Sequence, residues 1–465
     1  MTSSPPPSSS ATDLKRELTL FDAVMINAGT TIASAIFIVP ATVAAAVHGS
    51  VLITAVWVIG GLVSLLGALS VAELAAMYPE AGGQYAYLRE AYGKLCAFLY
   101  GWANFSVINT ASIAAISIGF ARYLGFFTPL SETEVRVIAI VVIAGLTWLN
   151  CRGVRLGATT QNIFTVLKIG ALFALVVASF ILPGGSVSNL QPLWPTTSFS
   201  DWIFPFGVAM VAVLWAYDGW IETTYVGSEV MNPGRNLPRS IILSSLIVMA
   251  LYTLASIAYM YVLSPSGMSG SDMVASDAAK VTMGVLGATF VVIAILISTL
   301  GASNGIIMTA ARIPYAMARQ GAFFRSQGSL HPRYATPVVA LVTQGVISSA
   351  LTLVPNCITI PNVFSICSPR PLYDQLATYV VFAQFVFYAL SAGAVILLRR
   401  RAPDLPRPYR TWGYPFTPII FIVFAVLLVG NTIYTTPKDS AIGAGLILLG
   451  LPGYYYWRRA GAGGR

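Results

Sequence analysis

From Val51 to Ala72 twenty-two consecutive residues carry no charged side chain. Roughly 20 such residues are what an α-helix needs to cross a bilayer. Runs of this kind recur along most of the chain. In hydrocarbon every backbone N–H and C=O must find a partner within the protein, so only helices and closed barrels span membranes. Barrel strands read as alternating stretches of about ten residues. The runs here are unbroken, which selects helices. Composition agrees: 9% of the 465 residues are charged and 56% are hydrophobic, against roughly 25% charged in an average soluble chain.

The formal net charge is +9. The cations sit in short clusters between apolar runs, so membrane topology explains them better than nucleic acid does. His48 and His331 are the only histidines and lie far apart, which excludes a histidine metal cluster. Cys96, Cys151, Cys357 and Cys367 form no C-x-x-C pair, so neither zinc nor a redox dithiol is indicated. No cofactor motif is present.

Residues 1–19 are Pro/Ser-rich, then charged, and read as a disordered tail. Twelve spans are expected near 20–46, 51–76, 94–124, 136–150, 160–182, 204–230, 240–263, 284–315, 336–354, 376–399, 414–435 and 440–457. With the N-terminus inside, this count puts twenty of the 26 lysines and arginines on the inner side and five on the outer, with Lys168 inside a span. Such a bias places both termini in the cytoplasm. Residues 20–400 then form a ten-span core. Residues 401–465 add two spans and an inner tail.

Spans one and six carry interruptions. Span one reads Asn27-Ala28-Gly29-Thr30-Thr31-Ile32-Ala33-Ser34-Ala35, followed by Pro40. Span six reads Trp215-Ala216-Tyr217-Asp218-Gly219-Trp220-Ile221-Glu222. They hold corresponding places in two five-span halves, the pattern of a transporter built from inverted repeats. An unwound helix exposes amides at one end and carbonyls at the other. A zwitterionic solute complements both. Gly29 is equally compatible with close helix packing. Asp218 is a costly intramembrane carboxylate, which points to function.

Further motifs complete the pattern: Glu73 to Leu88 after span two; Phe164-Thr165 with Lys168; Asn232-Pro233-Gly234-Arg235; and Asn304-Gly305, Arg312, Tyr315 to Arg319, then His331-Pro332 with Thr336-Pro337. In this order, over about residues 18–420, the chain resembles the amino acid–polyamine–organocation transporter superfamily, most closely the L-type amino acid transporters and their bacterial relatives. The resemblance implies an all-α membrane protein of about 12 helices. Its core would be a five-plus-five inverted repeat with helices one and six broken, followed by two extra helices. It implies alternating access around one amino acid site. The substrate carboxylate would meet Thr31, Ile32, Ala33, Ser34 and Ala35. The amine would meet Trp215, Ala216 and Asp218, with Trp215 as an aromatic gate.

The family usually has Gly-Ser-Gly where this chain has Ala33-Ser34-Ala35, and the two methyls narrow the site or restrict the backbone. Animal members pair with a glycoprotein through a cysteine between spans three and four. Residues 126–134 hold none, so no disulfide-linked heavy chain is expected. Cys357 and Cys367 fall in the outer segment 356–375, longer than the family norm, where spacing alone neither requires nor forbids a disulfide.

Lys168 lies about 12 Å into span five at 1.5 Å per residue. Its ammonium either snorkels to the interface or stands between spans one, five and eight, where sodium-coupled relatives of this fold hold a cation and proton-coupled or sodium-independent ones carry a lysine; there it could load and release a proton during the cycle. Ser298 and Thr299 would be its neighbours. Asp218 and Glu222 share a face if span six is helical there. Asp218 is open to three roles: meeting a cationic side chain, orienting Trp220 or carrying a proton. Glu73 reads as interfacial and structural, and Glu229 as the partner of an inner arginine. The expected function is sodium-independent amino acid transport across the cell membrane, by proton symport or exchange. A polyamine or organic-cation carrier, or a transporter-derived sensor, is the alternative. An enzyme needs a nucleophile–base pair or metal ligands that the spans lack. A channel needs a pore-lining polar repeat. Besides its substrate, the expected partner is the lipid bilayer.

Overall fold

The computed structural model describes the backbone of residues 14–194, 199–271, 273–354, 357–360, 364–367 and 372–462, and the side chains of 14–194, 201–271, 273–354 and 380–459. Residues 1–13, the greater part of the expected tail, lie outside them. The architecture is all-α. Leu18 opens it by pairing with the backbone ahead of the seventh expected span, its N–H reaching Glu229 O at 2.9 Å and its carbonyl accepting from Met231 N at 2.8 Å.

Span one is two helices, α1 (Leu20–Thr31) and α2 (Ala35–Ala46), bent by 45°. Thr19 and Asp22 close a capping box at the start of α1, so its first amides are satisfied before it enters hydrocarbon. Next come α3 (Ser50–Met77), the short α4 (Gln84–Tyr92) and α5 (Lys94–Ala103). Residues Asn104–Ile108 form a π-helical turn leading into α6 (Asn109–Leu124). Helices α7 (Glu132–Cys151) and α8 (Val154–Ile181) follow. Span six does not continue to residue 230: α9 (Phe199–Ala216) stops, turns occupy 217–221, and helix resumes only as α10 (Glu222–Tyr225). The chain goes on through α11 (Pro233–Ser269), α12 (Val274–Ala310), α13 (Arg312–Arg319) and α14 (Val338–Thr352).

A small antiparallel hairpin, β1 (Cys357–Ile360) and β2 (Phe364–Cys367), sets Cys357 opposite Cys367 in register. Its side chains, and with them the question of a disulfide, lie outside the described residues. Helices α15 (Leu372–Arg401), α16 (Phe416–Thr435), α17 (Pro437–Leu448) and α18 (Gly450–Ala462) complete the chain. Among the described residues eight helices are long and apolar enough to cross a membrane, or nine with the bent α1–α2 pair. The remaining three expected spans fall on shorter or divided helices: α9, α14 and the α17–α18 pair.

The broken helices sit centrally. Helix α1 packs on α8, α11 and α12, and α2 packs on α9, α11 and α12. Two buried ion pairs tie the core. Arg312 holds Glu229 through Nε at 2.7 Å and Nη2 at 3.0 Å, which makes it the inner arginine that Glu229 was expected to meet. Glu73, at the end of α3, is 1% exposed and gripped by Arg399 at 2.9 and 2.6 Å. Residues 402–415 fold back over it, bringing Thr411 N within 2.7 Å and Arg407 Nε within 3.3 Å. Hydropathy marks the end of a span but not the loop that later covers it.

Candidate functional site

Residues 32–34 interrupt span one because Ala33 N donates to Thr31 O at 2.9 Å, a tight turn instead of the helical ladder. Helix α2 restarts at Ala35 with no side-chain cap. A helix N-terminus of this kind carries partial positive charge and suits an anion. In span six, Gly219 has φ +119°, a conformation that L side chains rarely adopt. A Cβ there would lie 2.8 Å from Thr31 N and Oγ1, so the two breaks touch. Thr30 Oγ1 bridges them, 3.2 Å from Gly219 O.

Between the breaks lies a cavity of about 80 Å³. The span-one break lines it with Thr30, Thr31, Ala33, Ser34 and Ala35. The span-six break adds Trp215, Ala216, Asp218, Gly219 and Glu222. Of the residues expected at the site, Ile32 stays out: it is wholly buried and turns its carbonyl the other way. Ala33 and Ala35 belong to the wall. The cavity is small beside the roughly 300–1,000 Å³ of pockets for drug-sized ligands.

The Lys168 ammonium is buried, not snorkelled. It donates to Gly29 O at 2.6 Å, Ile32 O at 2.8 Å and Ser298 O at 2.9 Å. Ser298 Oγ adds a bond to Ile32 O at 2.8 Å. Thr299 instead bonds back within its own helix. Lys168 and Ser298 therefore hold the span-one break from behind, outside the cavity. The carbonyls that helix unwinding frees are met by a charged donor in the protein itself.

Asp218 reaches Trp220 through Tyr388. Its Oδ1 accepts from Tyr388 Oη at 2.6 Å and from Gly219 N at 3.0 Å, while Trp220 stacks on Tyr388 with centroids 4.9 Å apart. Asp218 and Glu222 do not share a helical face, because residues 217–221 are turns. The break nevertheless directs both carboxylates to the same cavity.

Several lining residues carry no signal in the sequence. Asn109, Ser112 and Ile116 come from α6, Ile306 from α12, and Val380 and Gln384 from α15. Asn109 follows the π-helical turn, a local widening of the helix frequent at functional sites. Nothing in the residues from 104 to 108 announces that turn. No lysine, arginine or histidine lines the cavity among the described residues, and no metal-binding group of His, Cys, Asp or Glu occurs among them.

The family described as "Amino acid permease" matches residues 18–454. The human "Large neutral amino acids transporter small subunit 2" is 31% identical over 460 residues, covering 96% of this chain and 81% of its own. The "Serine/threonine exchanger SteT" of Bacillus subtilis (strain 168) is 31% identical over 445 residues, 95% of this chain and 97% of its own. The mouse "b(0,+)-type amino acid transporter 1" is 31% identical over 448 residues, 94% and 87% respectively.

Proposed function

We propose that this chain, which belongs to the amino acid permease family, moves small amino acids across the cell membrane by alternating access, without sodium. It is a multi-pass membrane transporter and not an enzyme. The observation that carries the specific reading is the cavity between two touching helix breaks. The uncapped start of α2 suits the substrate carboxylate. The carbonyl end of α9, at Trp215 and Ala216, suits the ammonium. Trp215 lies on the wall as the gate, and the small volume favours serine- or alanine-sized cargo. A protein named as a serine/threonine exchanger, related along nearly the whole chain, supports that size class.

Sodium independence rests on Lys168. Its ammonium occupies the carbonyl cluster behind the span-one break, and a second cation there would be repelled at contact distance. The lysine and arginine bias supports cytoplasmic termini. The heavy-chain question follows the sequence: the human relative is named a small subunit, but residues 126–134 offer no cysteine, so we place this chain with stand-alone transporters. One observation favours a second reading, an organic-cation carrier: the cavity wall holds two carboxylates and no cation.

The test is uptake into liposomes of radiolabelled serine, alanine, leucine, arginine and putrescine, without sodium, with and without internal amino acid. Serine or alanine uptake is expected. Accumulation of putrescine alone replaces the reading with the second one.

A further inference from the structure

Two carboxylates share the cavity, and they are partnered unequally. Asp218 receives a tyrosine hydroxyl and a backbone amide. Glu222, 4% exposed, receives only the hydroxyl of Thr309, at Oε2. No hydrogen bond among the described residues reaches its Oε1. The wall between them adds another acceptor. Gln384 spends its amide N–H on Tyr388 Oη at 2.6 Å, and its buried carbonyl oxygen has no partner. This wall offers acceptors to whatever enters and has too few donors.

No cation balances it. Arg312, one turn beyond Thr309, is held by Glu229. Lys168 is held by three carbonyls on the far side of the break. The titratable groups facing Glu222 are Asp218, the hydrogen-bonded pair Tyr100 and Tyr225, and Tyr388. None of these is a cation. Helix α1 presents Asn27 to this region, whose Oδ1 accepts from Thr223 N. Helix α12 presents Thr309, and α11 presents Tyr252, which is engaged with Thr31 O. Two like charges on one cavity wall, with no cation between them, are expensive.

Thr309 supplies a way out. Its hydroxyl has one proton and three acceptors in reach: Glu222 Oε2, Gly305 O at 3.0 Å and, more distant, Ile306 O at 3.4 Å. When Glu222 is charged, the hydroxyl donates to it. When Glu222 is protonated, the carboxyl O–H donates to Oγ1 and the hydroxyl turns to Gly305 O. Both states are satisfied without moving a heavy atom.

We propose that Glu222 is the proton-binding residue of the transport cycle, taking one proton from the side where cargo enters and releasing it on the other, with Thr309 as its two-state partner. The step makes and breaks a single O–H bond on the Glu222 carboxylate, with water as donor and acceptor on either side. It rests on the amino acid transport reading above and deepens it.

The experiment measures serine uptake into liposomes as a ratio of rates with and without an inward proton gradient, so the absolute rate drops out. In wild-type protein the ratio is expected to be several-fold above one. Glu222→Gln, which mimics the protonated state, brings it to one. Thr309→Val, which keeps shape but removes the switching hydroxyl, displaces the pH midpoint of uptake. A Glu222→Gln ratio equal to wild type overturns the proposal, as does a Thr309→Val profile superimposable on wild type. Should Glu222→Gln fail to fold, the Thr309→Val profile decides alone. Wild-type uptake indifferent to the gradient overturns the proposal and leaves amino acid transport standing. No uptake of any amino acid overturns both. Loss of arginine uptake alone in Glu222→Gln, with the gradient ratio kept, assigns the carboxylate to cationic cargo and overturns the proton role.

Discussion

Replacing Lys168 by methionine, of similar length and no charge, tests how the span-one break is held. Three carbonyls lose a donor, but unequally. Ile32 O keeps Ser298 Oγ at 2.8 Å. Ser298 O lies within α12, whose helical ladder supplies it. Gly29 O has no such reserve, because Ala33 N has turned to Thr31 O. One orphaned buried carbonyl costs about 1–3 kcal/mol. Against this, a buried ammonium with no carboxylate partner is removed, and its desolvation penalty is several kcal/mol. Stability therefore changes little, and the variant folds. Transport does not escape: a break held 1–3 kcal/mol less firmly in one state shifts the cycle by about 5–150-fold. The assay is serine counterflow in liposomes, paired with the melting temperature in detergent. The expected result is at least a fivefold slower exchange at a nearly unchanged Tm. Lys168→Arg should not restore it, since a planar guanidinium cannot place one donor point among three converging carbonyls as the compact ammonium does. A Lys168→Met protein that exchanges at the wild-type rate refutes the argument.

Gly219→Ala should abolish uptake, because its φ of +119° is strained for alanine and the new Cβ meets Thr31 N at 2.8 Å; wild-type rates in this variant contradict contact between the breaks. Glu229→Gln should destabilise the protein by about 3–5 kcal/mol, since Arg312 is left buried without its counter-charge, whereas the double variant Glu229→Gln/Arg312→Met recovers most of the loss in a detergent melting assay. Gly29→Ala should cost about 1–3 kcal/mol by overpacking, because its Cβ would sit 2.1 Å from Thr165 Oγ1 and 2.3 Å from Gln161 Nε2; an unchanged melting temperature would show that α8 yields there.

The places where reading the sequence succeeded and failed share a cause. Glycine and hydroxyl residues inside apolar runs located both breaks, because an interrupted helix in hydrocarbon is local chemistry visible in one segment. The intramembrane carboxylate Asp218 stood out for the same reason. The same-face reading of Asp218 and Glu222 depended on a helix there, and residues 217–221 are turns. The cover over Glu73 was not legible because residues 402–415, more than three hundred positions away, return to it. Span limits held where hydropathy ends sharply, as at Thr435, and slipped in span six, where an apolar run outlasts its helix.

What the sequence determined alone is the solvent, and hence the class. Low charge and long apolar runs leave helices as the only way to satisfy the backbone in lipid, and the distribution of glycine, serine and isolated charges marks where that rule is broken. What the tertiary structure decided is which partners the broken backbone finds. Lysine 168 could have reached the interface; only the approach of α8 to α1 and α12 turns its ammonium onto three carbonyls. Asn109, Ser112 and Gln384 meet Asp218 and Glu222 only because a π-helical turn and the packing of α15 bring them to one cavity. Hydrophobic patterning is a property of single helices, whereas a binding site is a property of their crossings.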